Sequence, residues 1–205
     1  MRTLAIDCAT EACSVALFDE DGGLAAADHR VLGRGHAEHL VPMIAALPGR
    51  GRADRILVSL GPGSFTGVRI GIASARALGF AWSAEVLGYP SLALIAAIAI
   101  ADKGWPGATV CMSGGHGEWF VQDFGAGAQP STPLQSLTPH DAAARAGNLP
   151  LAGSQALALA ALLPEAPEAL DMLPDAARAH LLGPALLTDT IAPIYGRGPD
   201  ARLPG

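Results

Sequence analysis

The chain has 205 residues, half of them hydrophobic, with a net charge of −6 and a pI near 5.4. Lys103 is its only lysine, and the arginines are scattered apart from Arg50, Arg52 and Arg55; this is a poor electrostatic footprint for direct nucleic-acid binding. The longest apolar run, Leu92 to Ala101, is about half the roughly 20 residues that a spanning helix needs, and three cysteines make neither a disulfide framework nor a paired metal motif.

A chain of this length buries on the order of 70% of its unfolded surface, enough for one domain or two small ones. With aromatics at only 5%, alanine and leucine must fill the core. The first residues run straight into a strand with an acid at position 7, without the pattern of a signal peptide, so a cytoplasmic location is expected.

Residues 2–7, 13–19 and 24–31 read as three strands, the last two joined by an acid-glycine turn at Asp19-Glu20-Asp21-Gly22-Gly23. Residues 36–47 place Leu40, Met43, Ile44 and Leu47 on one helical face, and Pro48-Gly49-Arg50-Gly51 ends that helix. A strand at 55–60, a helix at 67–83, a strand at 85–89 and a helix at 91–102 follow. Trp105-Pro106-Gly107 reads as a boundary, giving units at 1–104 and 105–205. Beyond it, 108–113 and 118–124 read as a strand pair, 125–133 as a loop, and 139–147 and 154–163 as short helices, with Ser154 as a cap. Residues 164–205 hold many prolines and carry weak signals, and no repeat of fixed period is visible.

The most informative stretch is Gly61-Pro62-Gly63-Ser64-Phe65-Thr66-Gly67-Val68-Arg69-Ile70-Gly71, between a strand and a helix. It is neither a Walker loop nor the dinucleotide fingerprint, which would need a glycine where Thr66 stands. It can offer backbone N–H groups to an anion, allow another backbone close, or simply cap the helix through Ser64 or Thr66.

This loop, with the opening Leu4-Ala5-Ile6-Asp7-Cys8-Ala9-Thr10 and the Gly35-His36 … Leu40-Val41-Pro42-Met43 segment, resembles the TsaB (YeaZ) family. Gly117-Glu118-Trp119-Phe120 and Pro193-Ile194-Tyr195-Gly196-Arg197 look like later segments of that family, and Cys8 departs from its usual threonine. The resemblance implies an α/β chain of actin-like ATPase (ribonuclease H-like) fold in two subdomains, the second reduced. It further implies a non-catalytic subunit that binds and activates TsaD for N6-threonylcarbamoyladenosine formation at tRNA position 37. Its partners would be TsaD in a heterodimer and the ATPase TsaE, with a homodimer when alone. tRNA would be met only through the complex, and neither a membrane nor a cofactor would be expected.

The same resemblance puts a partner interface on His36, Leu40, Met43, Gly67, Ile70, Gly71, Ser74, Ala75 and Leu78. The small residues among them suit close helix approach, although packing against the chain's own sheet uses the same face. Asp7, Thr10, Gly61, Gly63 and Ser64 stand where actin-like ATPases hold phosphate and metal; without a second acid and glycine loop they read either as a vestigial phosphate loop or as a plain turn that Asp7 closes by accepting from backbone N–H groups. His36 and His39 at i, i+3 lack a third ligand, so no metal site is assigned. An ATP-dependent phosphotransferase using Asp7, or a metallopeptidase-like protein, are the alternatives.

Overall fold

The computed structural model describes residues 1–196. Its first sheet comprises β1 (Thr3–Asp7), β2 (Ala12–Phe18), β3 (Leu24–Val31), β4 (Arg55–Ser59) and β5 (Glu85–Tyr89), in the order β3-β2-β1-β4-β5. The first three strands form an antiparallel meander, and β4 and β5 run parallel to β1. Helices α1 (His36–Ala46), α2 (Phe65–Trp82) and α3 (Ser91–Lys103) make or follow the crossovers.

Alternation along the strands sorts the side chains between two layers. Leu4, Ile6, Cys13, Val15, Leu17, Ile56 and Val58 meet Leu40, Met43 and Ile44 of α1 and Val68, Ile72 and Ala75 of α2. Ala5, Ala16 and Leu57 point the other way, onto α3. Helix α3 is apolar around its whole circumference from Leu92 to Ala99, and every one of those residues is buried. Such a helix must be covered on all sides. Its far side is covered by Ala108, Val110, Met112 and Phe120 of a second sheet, so one apolar cluster runs through α3 from sheet to sheet.

That second sheet has the order β10-β9-β6-β7-β8, from β6 (Ala108–Gly115), β7 (Glu118–Phe124), β8 (Gln135–Leu137), β9 (Leu151–Ala152) and β10 (Ala169–Leu170). Helices α4 (Pro139–Arg145) and α5 (Ala156–Ala160) cover its outer face, where Cys111, Val121, Leu151 and Leu159 pack. Three details differ from expectation. The sequence reading missed β8, β9 and β10, which are too short to carry a period of their own. Helix α5 is only five residues long. Ser154 does not cap it; its hydroxyl accepts from the Ser113 N–H at 3.3 Å, tying α5's entry to β6.

The proline-rich stretch after 164 is pinned back on both layers. Ala176 N–H donates to Ser14 Oγ at 3.0 Å. Thr188 bridges Gly88 at the edge of β5, and Ile194 N–H donates to the Leu60 carbonyl at 2.8 Å. Arg76 of α2 donates to the Ile191 carbonyl at 2.6 Å, so residues 188–196 form a strap beside α2. Arg197 and the expected tail Pro199-Asp200-Ala201-Arg202-Leu203-Pro204-Gly205 lie outside the described residues.

Candidate functional site

The glycine loop follows β4 and turns into α2 through a cis Gly61–Pro62 bond. Ser64 is the cap: its Oγ accepts from the Gly67 N–H at 3.2 Å. The glycines serve a close backbone approach. A Cβ on Gly63 would lie 1.9 Å from the Ala9 carbonyl oxygen, and one on Gly67 would lie 2.0 Å from that of Cys8. The β1–β2 turn is therefore seated on the loop, with Ser64 N–H donating to the Ala9 carbonyl at 2.6 Å. The N–H groups of Ser64, Gly67 and Val68 are all engaged inside the chain.

Asp7, at the end of β1, is buried and turned toward the α3 layer. One carboxylate oxygen accepts from Ala9 N–H at 2.9 Å and the other from the Tyr89 hydroxyl at 3.1 Å. Burial pushes Asp7 up to about 6, against the opposite pull of these two donors. Burial first, then the neighbouring Asp7 charge, raises the Tyr89 phenol. Ser59 and Ser91 share a hydrogen bond at the neighbouring ends of β4 and α3, completing a polar knot under the loop. Thr10, also buried, accepts from Ala12 N–H at 3.1 Å as a turn residue does.

Above this knot lies a cleft of about 890 Å³, which no sequence signal announced. Its walls are Thr10 and Glu11, the loop from Gly63 to Arg69, Ser113 to His116 at the β6–β7 turn, and Ile194 to Gly196 of the strap. It sits beyond the carboxyl ends of β1 and β4, where open α/β sheets bind ligands, and its size is that of a small-molecule site. Asp7 is not among its walls. At the rim, the Arg69 guanidinium lies 3.5 Å over the Phe65 ring and donates to the Tyr195 hydroxyl at 2.8 Å. Among the described residues no three His, Cys, Asp or Glu side chains gather as a metal site. His36 is buried with Nε2 3.2 Å from the Ala12 carbonyl, whereas His39 is exposed.

The expected interface residues divide by burial. Leu40, Met43, Gly67, Gly71 and Ala75 are buried against the chain's own sheet, and His36 is closed over by the β1–β2 hairpin. The small face of α2 is thus turned inward: a Cβ on Gly71 would sit 3.6 Å from Cys8 and Val58. Ile70, Ser74 and Leu78 are half-buried on the flank of α2. The exposed outer faces carry Ala37, Val41 and Ala45 on α1 and Ala73, Ala77 and Phe80 on α2, with Phe80 92% exposed. The residues facing outward were legible as the complement of the core stripe, one step round each helix.

A meander-then-crossover sheet, a fully buried linking helix and a second mixed sheet around a cleft define an α/β protein of the actin-like ATPase fold. The family model of tRNA N6-adenosine threonylcarbamoyltransferase, TsaD, matches residues 29–164. The chain is 40% identical over 101 residues to the Escherichia coli tRNA threonylcarbamoyladenosine biosynthesis protein TsaB and 36% identical over 101 residues to that of Haemophilus influenzae. These matches cover 47% of this chain, and 43% and 42% of the two relatives, so less than half the length of the curated relatives is spanned. Two solved structures from Pseudomonas aeruginosa superpose over nearly their whole length. An uncharacterized protein with similarity to peptidase YeaZ has 30% identity and a TM-score of 0.79, covering 96% of this chain and 99% of that one. YeaZ itself has 28% identity and a TM-score of 0.80, covering 95% and 99%. The chain belongs to the TsaB (YeaZ) family.

Proposed function

We propose that this chain is a non-catalytic subunit in tRNA threonylcarbamoyladenosine biosynthesis, binding a TsaD-type partner through the outer faces of α1 and α2 and holding it in an active arrangement. The observation that carries the reading is the outward apolar surface of these two helices, with Val41 55% and Phe80 92% exposed beside small Ala73 and Ala77. Alanines on an outer face let a second helix come close, and apolar burial supplies the association energy. The match to the TsaD family model and the names of the curated relatives support the same assignment. On this reading Ile70, Ser74 and Leu78 flank the interface. The buried members of the expected set shape it only from beneath. The same face would pair two copies when TsaD is absent, and TsaE would join the heterodimer. With a net charge of −6, tRNA is met through the complex rather than directly.

Gel filtration with light scattering, on the chain alone and mixed with TsaD from the same source, tests this. Ala77→Arg places a charge on the outer face without entering the core. The expected result is a heterodimer with the parent chain and none with the variant, at unchanged thermal stability. A complex that survives Ala77→Arg and Ala73→Arg together would overturn the assignment of the face. Failure of the parent chain to bind would overturn the partner.

A further inference from the structure

The first hairpin carries a pair of cysteines whose placement goes beyond the family reading. Asp7 faces Ser14 on the β1–β2 ladder, so the next rung outward sets Cys8 opposite Cys13. Residues directly opposed on antiparallel strands have Cα separations of about 4.5–5.5 Å, inside the span of about 4.4–6.8 Å that a disulfide bridges. The two Sγ atoms are 3.6 Å apart, and both residues are buried.

We propose that Cys8 and Cys13 form a reversible disulfide, a redox-sensitive staple across the base of the 9–12 turn. The pair is chemically biased for it. The contact between the two sulfurs, and then burial, holds the Cys8 thiol up, while the same contact draws Cys13 down against the opposing pull of burial and of the Asp7 and Asp28 charges. Arg30, the cross-strand partner of Cys13 on β3, is itself paired with Asp28 and adds only the smallest pull, also downward. Cys111, a free cysteine buried in a separate cluster on the second sheet, is pushed up to about 12 by burial and has no disulfide partner among the described residues.

With a peroxide as oxidant, the Cys13 thiolate attacks one oxygen and the O–O bond breaks. Cys13 becomes a sulfenic acid, and the other oxygen leaves as water after taking a proton. The Cys8 sulfur then attacks the Cys13 sulfur: an S–S bond forms, the S–O bond breaks, and the hydroxide leaves as a second water with the Cys8 proton. Two thiols lose two electrons and two protons, and the peroxide is reduced to two waters. Because both sulfurs are sealed, the oxidant enters when the turn opens locally.

The staple lies where it has consequences. The carbonyl of Ala9 receives Ser64 N–H at the start of α2, and that of Ala12 lies 3.2 Å from His36 at the start of α1. Thr10 and Glu11, inside the same closed ring, wall the cleft. Closing the disulfide therefore ties the hairpin turn that supports both helix starts.

The test is to expose the folded full chain to hydrogen peroxide, then denature, alkylate, digest with trypsin and weigh the fragments. Residues 3–30 lie between consecutive trypsin sites and contain both cysteines. The expected product is this fragment unalkylated and about 2 Da lighter than its reduced form, restored by dithiothreitol, while Cys111 remains alkylated. Cys13→Ser should abolish the lighter species. Full alkylation of Cys8 and Cys13 at peroxide levels that oxidise Cys111 would overturn the proposal, as would a 3–30 fragment that only gains oxygen. The mass of the parent fragment decides even if the variant fails to fold.

Discussion

Gly67→Ala and Gly71→Ala differ by one helical turn on the same buried face of α2, yet opposite outcomes are expected. Alanine in a helix interior is favoured over glycine by about 1 kcal/mol, and both variants gain this. At Gly71 the new methyl meets Cys8 Cβ and Val58 Cγ2 at 3.6 Å, an ordinary contact. At Gly67 it would lie 2.0 Å from the Cys8 carbonyl oxygen, where about 3.3 Å is the closest comfortable C···O approach. The β1–β2 turn would have to retreat by more than 1 Å (roughly the difference of those two distances). It is held by the Ser64–Ala9 and Ala9–Asp7 hydrogen bonds, each worth about 1 kcal/mol, and overpacking itself costs about 1–3 kcal/mol. Gly67→Ala should therefore lose about 2 kcal/mol or more net, while Gly71→Ala gains up to about 1 kcal/mol. At about 2–4 °C per kcal/mol for a chain of this size, the two melting temperatures should differ by about 6–12 °C. Thermal unfolding followed by circular dichroism measures both. Equal stability of Gly67→Ala and the parent chain would refute the claim that these glycines serve backbone approach. By the same geometry, Gly71→Arg would drive a long charged side chain into the sheet and unfold the protein rather than block a partner.

Further outcomes follow from the site. Asp7, raised from an ordinary carboxylate value to about 6, binds a proton more tightly folded than unfolded. Its contribution therefore favours folding below about pH 4 and is lost as pH rises through 6, on the order of 3 kcal/mol in all; urea midpoints of Asp7→Asn should lack this decline, and superimposable pH profiles would count against it. Arg69→Ala removes an exposed stack on Phe65 and Tyr195, so stability should fall by less than about 1 kcal/mol. Hydrogen exchange should nevertheless speed up in residues 189–196, and an unchanged strap would show that Arg69 does not hold it. Tyr89→Phe deletes one donor to Asp7; the carboxylate, less stabilised, should titrate at a higher pH, which a carboxyl-carbon NMR titration of Asp7 would report, and a lower value would contradict the network described.

Much of the fold is local and was readable. The apolar run Leu4 to Ile6 ending in Asp7, the alternating strand that follows the turn, helical spacing at Leu40, Met43 and Ile44, and the Ser64 cap all depend on neighbours within a few residues. The glycine loop and Asp7 could be named from the sequence because their residue types are unusual at a strand end. Their use could not, since it depends on which backbone arrives from 50 residues away: the Ala9 and Cys8 carbonyls fill the space that a Cβ on Gly63 or Gly67 would need. The small face of α2 shows the same division. Periodicity put Gly67, Gly71 and Ala75 on one side, but a small face fits a sheet as well as a partner helix, and only the tertiary structure turned it toward Val58 and Ile6. The two- and three-residue strands β8 to β10 exist because β6 and β7 supply their partners, and the cleft is walled by four segments distant in sequence. Spacing along a chain determines which side chains share a face. What that face meets is decided by long-range packing, where the gain from burial outweighs local preference.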